Sequence, residues 1–149
     1  MGGTTAAGSK LAISAGIPAT LDVAGYDALT YTNVKGVESI GGFGAATEVV
    51  TFTPLDGAVE KYKGPTNYGN LTPTIKVDDT DAGQALLQVA SAPLNLAWYA
   101  IRVTKPDGAI RYFQAGVFGY PETIGAANSM ITAAPQIEIN TPIVKKAAA

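Results

Sequence analysis

LAWYAIRVTKPDGAIRYFQAGVF, residues 96–118, is the stretch that decides the fold. Two apolar-rich runs, Leu96–Thr104 and Ile110–Phe118, flank Lys105-Pro106-Asp107-Gly108, where proline presets φ and glycine accepts the left-handed position, so the stretch predicts a β-hairpin. Ala97, Tyr99, Ile101 and Val103 fall on one strand face, opposite Trp98, Ala100, Arg102 and Thr104. The first face reads as core. The second, carrying both Trp98 and Arg102, reads as another packing surface, open to a neighbouring subunit.

Working outward, the same turn-punctuated alternation predicts strands over Leu29–Asn33, Val34–Ile40, Thr47–Thr53, Leu71–Val77 and Met130–Ile139. One helix is signalled by Ala82, Ala85, Leu86, Val89 and Ala90 at helical spacing, with Asp81 placed to cap, Gln84 three residues later and Pro93 ending it. Asp78, Asp79 and Asp81 suit the positive helix start, which is ordinary capping chemistry. The expectation is a mainly β, sandwich- or barrel-like domain over residues 20–144 with one flanking helix. A flexible Gly/Ala/Thr-rich arm (1–19) precedes it and a short tail (145–149) follows.

Composition narrows function. Charged residues make up 15% of the 149, against about 25% in ordinary soluble chains, while 47% are apolar, so much of the surface is expected to be covered. No bilayer covers it: the longest apolar stretch, Ala85 to Ile101, is broken by Gln88, Ser91, Pro93 and Asn95, short of about 18 clean residues. The first twenty residues lack the basic start and apolar middle of a signal peptide, which predicts a cytoplasmic product. Cysteine and histidine are both absent, removing disulfides, thiolate nucleophiles, the usual triad base and most zinc chemistry. Neither an enzyme nor a cofactor is expected. A net charge of −2, with cations scattered apart from Lys145 and Lys146, offers no field for tight nucleic-acid binding.

Other motifs fail on context. Gly41, Gly42 and Gly44 lack the third glycine and following helix of a dinucleotide loop. They read instead as the hinge of a flexible hairpin joining Val34–Ile40 to Thr47–Thr53. Asp79 and Asp81 start a calcium-loop spacing that Gly83 breaks. Asp22, Glu38, Glu48 and Glu122 offer no defined pair for glycoside cleavage. Between Pro54 and Pro73, the run LDGAVEKYKGPTNYGNLT (residues 55–72) is long for an idle connection. Its Lys61, Tyr62, Lys63 and Tyr68 suit a contact loop.

The order of segments then becomes informative: Val34-Lys35-Gly36-Val37-Glu38-Ser39-Ile40-Gly41-Gly42, Glu48 to Asp56, Glu60-Lys61-Tyr62-Lys63-Gly64, Asn70-Leu71-Thr72, Asp81-Ala82-Gly83-Gln84, Phe113 to Val117 and Gln136 to Ile139. Over Leu21 to Val144 the chain resembles the tail tube proteins of siphophages, the long-tailed bacteriophages. The resemblance implies a β-sandwich with one flanking helix, assembled as stacked hexameric rings whose strands join into an inner barrel around a channel for genomic DNA. The implied setting is the virion tail, after synthesis in the host cytoplasm. The implied partners are copies of the chain, a tape measure protein, and tail terminator and distal tail proteins, with DNA only in transit. The contact loop, Pro54 to Gly69, becomes the candidate for ring stacking. Each neutralised phosphate adds affinity, so a DNA conduit is expected to be neutral or acidic inside. Glu38 and Glu48, either side of the Gly-rich bend, are the candidate lumen residues, the alternation leaving the opposite faces equally open. Two other readings stand beside this one: a secretion-system tube subunit of the haemolysin-coregulated type, and a β-sandwich module binding carbohydrate or a host surface through Trp98, Tyr99, Tyr62 or Tyr68.

Overall fold

The computed structural model describes residues 3–148 and is built of thirteen strands and two helices. In chain order the elements are β1 (Lys10–Ser14), α1 (Val23–Asp27), β2 (Thr32–Val34), β3 (Val37–Ser39), β4 (Ala46–Phe52), β5 (Glu60–Asn67), β6 (Asn70–Leu71), β7 (Thr74–Lys76), α2 (Ala82–Ala90), β8 (Tyr99–Thr104), β9 (Ile110–Gly119), β10 (Glu122–Thr123), β11 (Thr132–Ala133), β12 (Gln136–Ile139) and β13 (Val144–Lys146). A seven-stranded sheet runs β2-β1-β8-β9-β12-β6, with β13 also paired to β9; a four-stranded sheet runs β10-β11-β7-β3; β4 and β5 form a separate ribbon.

The β8–β9 hairpin forms as its turn dictates. Ile101 sits opposite Phe113, Gly108 takes φ +96°, and the Lys105 N–H donates to the Ala109 carbonyl at 2.8 Å. One face of the hairpin enters the core, where Leu11, Ile13, Ile101, Phe113 and Ile137 of the large sheet meet Ile75 of the small sheet and Leu87 of α2. Two sheets and a flanking helix thus share one apolar centre, the mainly β arrangement that the sequence implies.

The opposite face of the hairpin is covered by the chain itself around Ala100, Arg102 and Tyr112, while Trp98 is half-buried and Phe118 exposed at its other end. Tyr26 of α1 stacks on Tyr112 with centroids 5.1 Å apart, and the Arg102 guanidinium lies 4.7 Å above the Tyr31 ring. The Tyr112 hydroxyl donates to Asp27, which also pairs with Lys146 at 3.0 Å. Burial, and then the Asp27 bond, push that hydroxyl up to about 12.

Both domain boundaries move outward. Lys10–Ser14, expected within the flexible arm, is an inner strand between β2 and β8, with Leu11, Ala12, Ile13 and Ser14 all buried. It is hidden in the sequence because five residues between Gly-rich flanks give too short an alternation. Lys145 and Lys146, expected in the tail, pair with Arg111 and Ile110. Met1, Gly2 and Ala149, the outermost residues of that arm and tail, lie outside the described residues.

Two expected strands each divide at a proline. Pro73 separates β6, paired to β12, from β7, paired to β3 and β11; Pro135 separates β11 from β12. Proline cannot donate to a ladder, so the chain changes sheet there.

A second helix was not expected. It is only five residues long, opened by Asp22, whose carboxylate accepts from the Gly25 N–H at 2.8 Å. On α2, Asp81 caps as expected, accepting from the Gln84 N–H at 3.0 Å. The Gln84 side chain does not turn back to complete a capping box. It is fully buried and bonds three backbone groups: its Nε2 donates to the Lys35 and Lys76 carbonyls at 2.8 and 2.9 Å, and its Oε1 accepts from the Asp78 N–H at 2.8 Å.

Candidate assembly interface

The hinged hairpin expected between Val34–Ile40 and Thr47–Thr53 does not form. Instead β3 pairs with β7, and β4 pairs with β5, the segment expected to be loop. Its Lys-Tyr-Lys-Gly-Pro run conceals a strand because neither face is apolar throughout. The bend lies beyond Pro54, where Gly57 takes φ +88° and its N–H donates to the Pro54 carbonyl at 3.0 Å. Every residue of the two strands is exposed except half-buried Gly64. Among the described residues neither strand pairs with any third strand.

The register divides the ribbon into two chemically different faces. Val49 opposes Lys63, Val50 opposes Tyr62, Thr51 opposes Lys61 and Phe52 opposes Glu60, and directly opposed residues share a face. One face therefore carries Val49, Thr51, Lys61 and Lys63. The other carries Val50, Phe52, Glu60 and Tyr62. Glu48 belongs with the second set, since a Cβ built on Gly64 would lie 3.5 Å from the Glu48 Cβ and 2.7 Å from Val50 Cγ2. A register shift between Thr47 and Val49 absorbs Pro65, which has no N–H to give.

The expected contact group is thus split. Lys61 and Lys63 lie on one face, while Tyr62 lies on the other, its hydroxyl donating to Glu60 at 2.5 Å. That bond holds the Tyr62 hydroxyl above its ordinary range. Tyr68 lies beyond β5, half-buried and packed against the core. Glu38 and Glu48 are both exposed but lie in different sheets, Glu38 on β3 at the edge of the four-stranded sheet. They do not face each other across a bend.

The glycines frame the root of the ribbon. Gly41 takes φ +90°, and Gly44 backs so closely on Gly69 that a Cβ there would meet the Gly44 carbonyl oxygen at 2.4 Å. Beside this root opens a pocket of about 740 Å³, lined by Phe43, Tyr68, Lys105, Arg111, Ile143 and Lys145. Sequence reasoning missed this convergence, because its cations lie at the two ends of the β8–β9 turn and on the last strand. The aromatics named for a stacking platform are spread apart: Tyr99 is in the core, its hydroxyl accepting from Asn95 Nδ2 at 2.9 Å, Tyr68 packs against the core, Tyr62 stands on the free ribbon, and half-buried Trp98 lines a separate pocket with Leu96 and Phe118. Among the described residues no three carboxylates group to hold a metal ion, and no helix is long and apolar enough to cross a membrane.

No protein-family model matches the chain, and no curated protein does. Solved structures do share the fold. A chain of the extracellular contractile injection system PVC sheath/tube terminator in the extended state is 11% identical, with 99% of each chain covered and a TM-score of 0.70. A chain of the anti-feeding prophage (AFP) baseplate, 6-fold symmetrised, is 10% identical over 98% of this chain and 97% of that one, with a TM-score of 0.73. A chain of the PVC sheath-tube complex in the extended state is 13% identical over 94% and 88%, with a TM-score of 0.61. At these identities the likeness is one of fold.

Proposed function

We propose that the chain is a structural subunit that polymerises with copies of itself into a tube, the tail tube of a siphophage. In this reading hexameric rings stack around a channel that conducts DNA, a tape measure protein occupies the channel before ejection, and terminator and distal tail proteins close the ends. The subunit carries no chemistry of its own and resides in the virion tail.

The free ribbon is the observation that carries the reading. A lone two-stranded ribbon is marginal in water and its open edges invite further pairing. Yet this one holds Val50, Phe52 and Tyr62 at 48, 59 and 57% exposure on one face. Covering three such side chains contributes roughly 5 kcal/mol, comparable only with the lower end of the about 4–15 kcal/mol that association costs. One ribbon contact is therefore weak alone, and a lattice in which each subunit makes several is the arrangement that stabilises it. The fold shared with chains of the PVC sheath-tube complex and terminator supports a tube. Of the two lumen candidates Glu38, exposed on the edge strand β3, is kept, while Glu48 goes with the ribbon face.

Replacing Tyr62 and Lys63 with alanine leaves a folded monomer and shortens or abolishes tubes in electron micrographs; tubes of normal length from that variant remove the ribbon from the contact. Because the similar structures come from contractile injection systems, a secretion-type tube is the second reading. Purified protein that forms rings but never long tubes favours it.

A further inference from the structure

We infer that the cationic pocket at the root of the ribbon receives the Glu48, Val50, Phe52, Glu60 and Tyr62 face of the ribbon from a second copy. The inference rests on the self-assembly reading and names the two surfaces that meet.

The pocket has cations without carboxylates. Among the described residues the only ion pair is Lys146 with Asp27, so Lys105, Arg111 and Lys145 have no acidic partner within 4.0 Å. Arg111 directs one guanidinium N–H to its neighbour's carbonyl, Ile110, at 3.2 Å. The floor between them is apolar and anchored: Phe43 packs on Phe113 with centroids 5.8 Å apart, and Tyr68 and Ile143 rest against the same core.

The ribbon face presents the complement. Glu48 and Glu60 have no cationic partner among the described residues, and the side chains between them are apolar or aromatic. Each surface thus offers what the other lacks, in charge and in apolar area. A chain cannot bring the far end of that face to its own pocket. β4 rises from the root over seven residues, so at roughly 3.3 Å per residue Phe52 and Glu60 stand about 20 Å from their own pocket. Each copy carries one ribbon and one pocket, which makes the contact head-to-tail, the kind that closes a ring or extends a stack.

Charge exchange tests this. Three forms are compared with the wild type by light scattering and negative-stain microscopy: K105E/R111E, E48K/E60K, and the chain carrying all four changes. Circular dichroism and urea midpoints establish that each folds, with K105Q/R111Q replacing the first pair if it does not. Each double variant is expected to raise the concentration needed for assembly at least about tenfold, and the fourfold variant to recover most of that loss. Salt at 0.5 M is expected to weaken wild-type assembly, as screening requires. Double variants that assemble at wild-type concentrations overturn the inference while leaving the tube reading intact; so does a folded fourfold variant that stays monomeric. Normal assembly of K105E/R111E together with its loss of binding to a single-stranded oligonucleotide assigns the pocket to nucleic acid instead, and likewise overturns it. A wild type that never assembles removes the tube reading and the inference together.

Discussion

Gln84→Met should unfold this protein far more readily than a change of one side chain on a short helix suggests. The side chain is fully buried, and its amide joins α2 to the carbonyl of Lys35 before β3, to the carbonyl of Lys76 on β7 and to the N–H of Asp78. Methionine keeps the volume, so no cavity term enters, but all three backbone bonds are lost, together with the long contact from the Tyr120 hydroxyl to Oε1 at 3.4 Å. At about 1 kcal/mol net per bond the loss is about 3 kcal/mol, rising towards about 5 where the abandoned backbone groups find no water. Against a total of about 5–15 kcal/mol for a domain this is a large fraction. With a urea slope near 2 kcal/mol per molar, the midpoint falls by about 2 M. Equilibrium urea unfolding by circular dichroism, at concentrations below assembly, reads it directly. Gln88→Met, exposed on the same helix, serves as the control and stays within about 0.5 kcal/mol. A loss below about 1 kcal/mol for Gln84→Met refutes the view that this amide ties the helix to the small sheet.

Gly69→Ala forces a left-handed residue, at φ +93°, to carry a Cβ that meets the Gly44 carbonyl. The conformation alone costs about 1–2 kcal/mol, so amide exchange in β4 and β5 should quicken, whereas Gly42→Ala, with open space around it, should change nothing; equal exchange in the two variants contradicts the pinched root. Asp27 is held below its ordinary value first by the Tyr112 hydroxyl and then by Lys146. A depressed carboxyl stabilises the fold above its unfolded value and loses that contribution as pH falls through the folded one. The wild type should therefore exceed Asp27→Asn in stability at neutral pH by a small amount, because the group is exposed, and the gap should close as acid protonates the folded carboxylate, below the ordinary carboxylate range; a gap that persists in strong acid contradicts this.

What the sequence made legible was whatever local chemistry dictates. The Lys105–Gly108 turn, the alternation on either side of it and the Asp81 cap each depend on neighbours within a few residues, and each is found in place. Of the ribbon only β4 was legible, as the run Thr47–Thr53; β5 was not, because it buries nothing within the chain and so carries no one-sided apolar pattern. Pairing of Thr47–Thr53 with its predecessor failed for a related reason: Val37 and Ile75 both reach the shared core, and that long-range contact outweighs adjacency in the chain. Gln84 reads as a capping residue since its spacing from Asp81 fits, while its side-chain partners are the backbone of Asp78 and Lys76, before the helix, and the carbonyl of Lys35, far off in sequence. The pocket of Lys105, Arg111 and Lys145 was invisible for the same reason, assembled as it is by the pairing of β13 with β9.

The most direct test of the central claim is negative-stain microscopy of the purified wild-type chain across a concentration series. Self-assembly predicts rings with a central opening that stack into tubes as concentration rises. A single unassembled subunit at every concentration and salt condition contradicts it.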